Sequence, residues 1–124
     1  MPAHEELPDF DEFTRAYIEA MLWAETSDDG APLDKEFDIQ DLSMDAINEI
    51  MEDCTDFQAD NADDIADDLR QAGRDFYLTR NRHGAGFWDG DWSDDIGKRL
   101  TDKAHTYGTQ GLYVGDDGRL YTHN

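Results

Sequence analysis

Leu112-Tyr113-Val114-Gly115-Asp116-Asp117-Gly118-Arg119-Leu120-Tyr121 places two short apolar and aromatic runs on either side of an Asp-Gly pair. Asp-Gly supplies the left-handed conformation that a tight turn requires, and the flanks have the composition of paired strands, so the stretch predicts a β-hairpin. Because the first half of the chain reads as helix, this hairpin sets the class as α+β.

Working back from the hairpin, Ser93 to Tyr107 repeats Ile96, Leu100 and Ala104 on one helical face. Before it, Asp75-Phe76-Tyr77-Leu78-Thr79-Arg80 has the aromatic, β-branched character of a strand, and Gly84-Ala85-Gly86 permits a turn back into Phe87-Trp88. Gly73 is placed to end the preceding helix in the left-handed conformation. That helix is predicted over 59–72, with Ile65 and Leu69 inward. Ser43 is expected to cap another whose core face is Ile47, Ile50, Met51, Cys54 and Phe57. From Asp9 to Ala24, apolar residues at three- and four-residue steps define the first helix. The linker Thr26 to Gln40, with Gly30, Pro32 and clustered Asp, reads as a loop that wraps rather than packs. The expected order is three N-terminal helices, then hairpin, helix and hairpin, forming a small antiparallel sheet covered by helices. The expected core is Phe10, Phe13, Tyr17, Phe76, Leu78, Trp88, Leu100, Val114 and Leu120.

The 124 residues suit a single domain, 1–124, burying roughly two-thirds of its unfolded surface. Charge divides it unevenly. Residues 1–72 carry 23 acidic side chains against Arg15, Lys35 and Arg70, a net −20, whereas 73–124 carry eight against seven, a net −1. Such a field repels nucleic acid and anionic membranes and attracts cations and basic protein surfaces. Asp-rich, Lys-poor composition also serves adaptation to high salt, but that would spread acid over the whole chain. No apolar run is long enough to span a bilayer, the N-terminus lacks a signal-peptide pattern, and the lone Cys54 can form no internal disulfide, so a cytoplasmic setting is expected.

The acid is patterned. Asp45, Glu49, Glu52, Asp53 and Asp56 fall opposite the core face of the second helix, and Asp60, Asp63, Asp64, Asp67 and Asp68 repeat the pattern on the third. At ~1.5 Å rise per residue the carboxylates recur every ~4 Å and ~3 Å, close to the ~3.4 Å between phosphates along one DNA strand. Like charges three and four apart repel, and no base lies between Asp41 and Asp68 to relieve them. A partner-binding acidic surface and a plain solvated face both fit this pattern, and the absence of interleaved bases favours the first.

Arg80, Arg82, His83, Trp88 and Asp89 form an alternative ligand site, an anion pocket beside exposed rings. Against it stands the reading in which the glycines turn the chain, the rings are core and the arginines are counter-charges to the acidic helices. Asp89-Gly90-Asp91 resembles the start of a calcium loop, but the twelfth position is Leu100, so no metal site is expected there and Ser93 or Asp94 serves as a helix cap. The histidines have no metal-ligand spacing, and neither a phosphate loop nor a catalytic motif is present, so no cofactor and no catalytic residue is assigned.

The runs LTRNRHGAGFWDGDW (78–92), GKRLTDKAHTYG (97–108) and LYVGDDGRLY (112–121), with APLDKEFDIQDL (31–42) and Cys54 and Phe57, resemble a group of small acidic proteins encoded by bacteriophages and prophages, over about residues 18–121. That resemblance implies phage origin and a host cytoplasm, and carries no activity to any residue. The leading expectation is a non-enzymatic accessory protein whose acidic helices bind a basic site on a host protein, a DNA mimic and inhibitor being one form. A small enzyme or ligand-binding module built on the Arg80 to Trp92 segment, or a phage structural or assembly protein, are the competing expectations.

Overall fold

The computed structural model describes residues 9–26, 30–83, 86–88 and 92–123. The class is α+β: helices α1 (Glu12–Ala24), α2 (Met44–Asp60), α3 (Ala62–Ile65), α4 (Leu69–Arg80) and α5 (Asp94–His105), then an antiparallel pair, β1 (Gly111–Val114) and β2 (Leu120–His123). Local signals start the helices. Asp11 accepts from the Thr14 amide at 2.8 Å, and Ser43 from the Ala46 amide at 3.1 Å, each satisfying an orphan donor of the first turn. Ser93 takes the N-cap position of α5. The hairpin forms as expected, with Tyr113 opposite Tyr121 and Val114 opposite Leu120, and Gly118 adopts φ +80° in the turn. β2 is tied to the start of α2, because the amide of its N-cap Ser43 donates to the Leu120 carbonyl at 2.9 Å.

The expected first hairpin is absent, and residues 75–80 are helix. Leu69, Ala72, Gly73, Phe76, Tyr77 and Arg80 follow a three-and-four spacing, which outweighs the strand-like composition of 75–80. Gly73 does not end a helix. It lies inside α4, where a β-carbon would stand 2.0 Å from the Phe13 carbonyl oxygen, so its lack of a side chain lets α1 and α4 pack closely. The left-handed residue after α4 is instead Arg82, at φ +58°, with the Arg82 amide donating to Thr79 and the His83 amide to Leu78, a Schellman ending. The helix expected over 59–72 breaks in two because Asp68 leaves helical geometry and caps α4, accepting from the Gln71 amide at 3.1 Å.

The core gathers on α4, whose residues from Asp75 to Arg80 are all buried. Phe76 stacks on Phe57 at 4.1 Å and contacts Phe13, Tyr17 and Tyr107 at 5.1–5.9 Å. The described part of the linker, 30–40, packs as well as wraps: it holds the 3-10 turn Leu33–Lys35 and leads into a second, Ile39–Asp41, and Leu33 is fully buried. Two expected core residues are exposed, Val114 at the end of its strand and Trp88 at 46%. Phe87 is buried instead of Trp88, its amide donating to the Thr79 hydroxyl at 3.1 Å and its ring stacking on Phe57. Phe87→Ala should therefore cost about 3–5 kcal/mol and Trp88→Ala about 1 kcal/mol or less. Chemical denaturation of the two variants checks this ordering.

Candidate functional site: an acidic helical surface

The ten acidic residues do not all face solvent alike. Asp45, Glu52, Asp56, Asp60, Asp63 and Asp67 are exposed and in no ion pair with a described residue. The other four have structural partners. Asp53 pairs with Arg80 at 2.8 Å, Asp64 takes a two-pronged bond from Arg99 at 2.8 and 3.1 Å, Asp68 caps α4, and Glu49 accepts from the Thr122 hydroxyl. Arg99 holds the Asp64 carboxyl below its usual pKa range through that hydrogen bond. Because 61–68 forms a short helix and a turn, the regular carboxylate spacing expected along a third helix does not exist. The phosphate-like repeat belongs to α2 alone, from Asp45 to Asp56.

Opposite this ridge, polar groups are turned inward. Arg80, although only 3% exposed, donates to Asp53, to the Tyr17 hydroxyl at 3.2 Å, to the Gly108 carbonyl at 2.8 Å and to the Tyr107 carbonyl at 3.1 Å. Its guanidinium also lies 5.4 Å from the Phe76 ring centre and 5.6 Å from that of Tyr107. Burial works against its charge, but Tyr17 and Asp53 outweigh it and raise the pKa. Tyr17 donates onward to Gln110 at 2.6 Å, and the Gln110 amide donates to Asn81 at 2.9 Å. Burial pushes the Tyr17 phenol up. Burial and the Glu25 carboxylate, which accepts its proton bond, do the same to Tyr77. Asp75, fully buried, accepts from Gln71 and from the Trp92 indole at 2.8 Å. These networks, with the Phe87 amide bonded to Thr79, hold Phe87, Trp92 and the segment 106–110 against α4.

The described members of the alternative ligand site stand in different surroundings. Arg80 is consumed inside the core, Arg82 is exposed beyond the end of α4, His83 is half-buried with its ring 5.9 Å from that of Tyr77, Trp88 is on the surface, and Asp89 lies outside the described residues. Burial also pushes the Cys54 thiol up, which leaves it unreactive among apolar side chains. Among the described residues no cluster of three His, Cys, Asp or Glu could hold a metal ion, and no helix is long and apolar enough to cross a membrane. An open cleft of about 630 Å³ lies between α1 and α4, lined in part by Ala20, Trp23, Asp68, Arg70 and Arg74. It has acid and base on its walls and no single chemical bias.

Sequence reasoning identified the exposed ridge from charge and period. The counter-charge reading of the arginines anticipated an Arg80 pair, but the particular partners of Asp53, in the core, and of Asp64, at the surface, lie 27 and 35 residues away and were not assigned. Comparison with protein-family models, curated proteins and solved structures finds no match.

Proposed function

We propose that the chain is a non-enzymatic, phage-encoded accessory protein that acts in the host cytoplasm by presenting the ridge of α2, α3 and the turn after it to a basic surface on a host protein. The observation that carries this reading is the set Asp45, Glu52, Asp56, Asp60, Asp63 and Asp67, exposed and without an ionic partner among the described residues, while neighbouring carboxylates do find arginines. Self-repulsion in such a set lowers stability, and a binding surface keeps it because function opposes stability. Docking would be steered by charge and weaken with salt. Mimicry of a DNA strand is supported along α2 only, where the carboxylate spacing is regular. The enzyme reading lacks support, since Arg80 is taken up in the core.

Replacing Asp56, Asp60, Asp63 and Asp67 together by Asn is expected to raise stability at low ionic strength by about 1 kcal/mol, a few tenths for each relieved repulsion. The gain should shrink as salt is added. Asp64 is left intact because Arg99 depends on it. In parallel, immobilised wild type should retain basic proteins from a bacterial lysate that elute along a salt gradient, and the fourfold variant should lose them. A variant no more stable than wild type that retains the same proteins would reduce the ridge to a wet helix face.

A further inference from the structure

The C-terminal hairpin turns Leu112 and Leu120 to the core, leaves Val114 on that same face exposed, and carries a row of rings on the other face. Alternation along paired strands puts Leu112 and Leu120 inward, and Gly111, Tyr113 and Gly115 on the outer face with Tyr121 and His123. The Tyr113 ring lies 5.7 Å from Tyr121, with planes 23° apart, and 6.1 Å from His123. Both flanking glycines are required for this arrangement. A β-carbon at Gly115 would meet Tyr121 Cε1 at 2.4 Å, and one at Gly111 would meet His123 Nε2 at 2.7 Å, so the two outer rings lean over bare backbone. The middle ring is left open: Tyr113 is 51% exposed.

Carboxylates stand at both ends of the row. The Tyr121 phenol donates to Asp117 at 2.6 Å, and Asp45 from the first turn of α2 is near enough to help raise the Tyr121 pKa, after the larger effect of the Asp117 bond. At the far end, Glu25 Oε1 comes within 3.0 Å of where a Gly111 β-carbon would be. Arg119 adds a small lowering of the Asp117 pKa, after the larger effect of the Tyr121 bond. Thr122, on β2, donates to Glu49, which joins the hairpin to the acidic ridge.

We propose that this outer face, centred on Tyr113 between Tyr121 and His123, is a docking subsite for arginine side chains of the basic partner. The proposal rests on the docking function above and adds a choice between the two basic side chains. Ring faces bordered by carboxylates suit a guanidinium, which is planar, weakly hydrated and able to stack while its N–H fork reaches an acid. A lysine ammonium is compact and strongly hydrated, and gains less from the same rings. A nucleobase could stack there, but its phosphates would meet Asp45, Asp116 and Asp117. A second copy of the chain would bring another net charge of −21 to the same surface.

The test titrates octa-arginine and octa-lysine, peptides of equal charge, into wild type, Tyr113→Leu, Tyr113→Phe and the fourfold Asn variant. Wild type should bind octa-arginine about 5-fold tighter than octa-lysine. Tyr113→Leu, which keeps an apolar cover on the strand, should bring the ratio close to unity, and Tyr113→Phe should preserve it. Equal binding of both peptides by wild type, or an unchanged ratio in Tyr113→Leu, would overturn the arginine subsite. If the fourfold variant then loses both peptides alike, the acidic docking reading survives that failure. If wild type binds neither peptide, both readings fall together. Should Tyr113→Leu fail to fold, nuclear magnetic resonance on wild type decides: octa-arginine must shift the Tyr113 and Tyr121 ring protons more than octa-lysine does, and equal shifts would sink the proposal.

Discussion

Replacing Arg80 by methionine is expected to destabilise the protein by about 3–5 kcal/mol, the usual loss when one partner of a buried ion pair is removed. Methionine fills much of the volume, but it leaves the Tyr107 and Gly108 carbonyls without their donor and Asp53 facing a hole in its charge balance. Asp53→Asn should cost less, because its carboxylate is 27% exposed and water can replace part of what Arg80 supplied. The two losses should not add: a double variant retaining at least about 1 kcal/mol more than the sum predicts would measure the pair's coupling. Urea unfolding of the four proteins gives the cycle. A loss below about 1 kcal/mol for Arg80→Met would mean the guanidinium lies in water, contrary to its burial in this fold.

Gly73→Ala is expected to be nearly as severe, about 2–3 kcal/mol, although alanine is the better helix former by about 1 kcal/mol. The new methyl group would fall 2.0 Å from the carbonyl oxygen of Phe13 and 2.9 Å from its carbonyl carbon. Both are backbone atoms of α1, so relief requires the helices to separate, which loosens Phe13 and Phe76 together. At about 4 °C per kcal/mol for a chain this size, the melting temperature should drop by roughly 10 °C. Gly73→Ser should behave similarly, and Gly118→Ala should lose less, because that position is strained in φ but opens on free space. A stabilised Gly73→Ala protein would show that α1 and α4 do not approach as closely as described.

The amino-acid sequence by itself determined the elements whose causes are local. The apolar period of residues 10–24, the Ser43 cap, the Ile96-Leu100-Ala104 face and the Asp-Gly turn at 117–118 each lie within a few residues of the structure they produce, and all four elements form. The acidic ridge is legible for the same reason, since charge and helical spacing are properties of a short window. Where distant partners decide, sequence alone misleads. Gly73 resembles a helix terminator until Phe13 is seen against it, while the left-handed position falls to Arg82. Phe76 and Tyr77 have strand-like character, yet the surrounding aromatic cluster holds them in a helix. Arg80 has both a ligand reading and a counter-charge reading in the sequence, and the convergence of Tyr17, Asp53, Tyr107 and Gly108 from three other segments decides for the second. Burial, pairing and close backbone approach are relations between residues far apart in the chain, so only the tertiary structure assigns them.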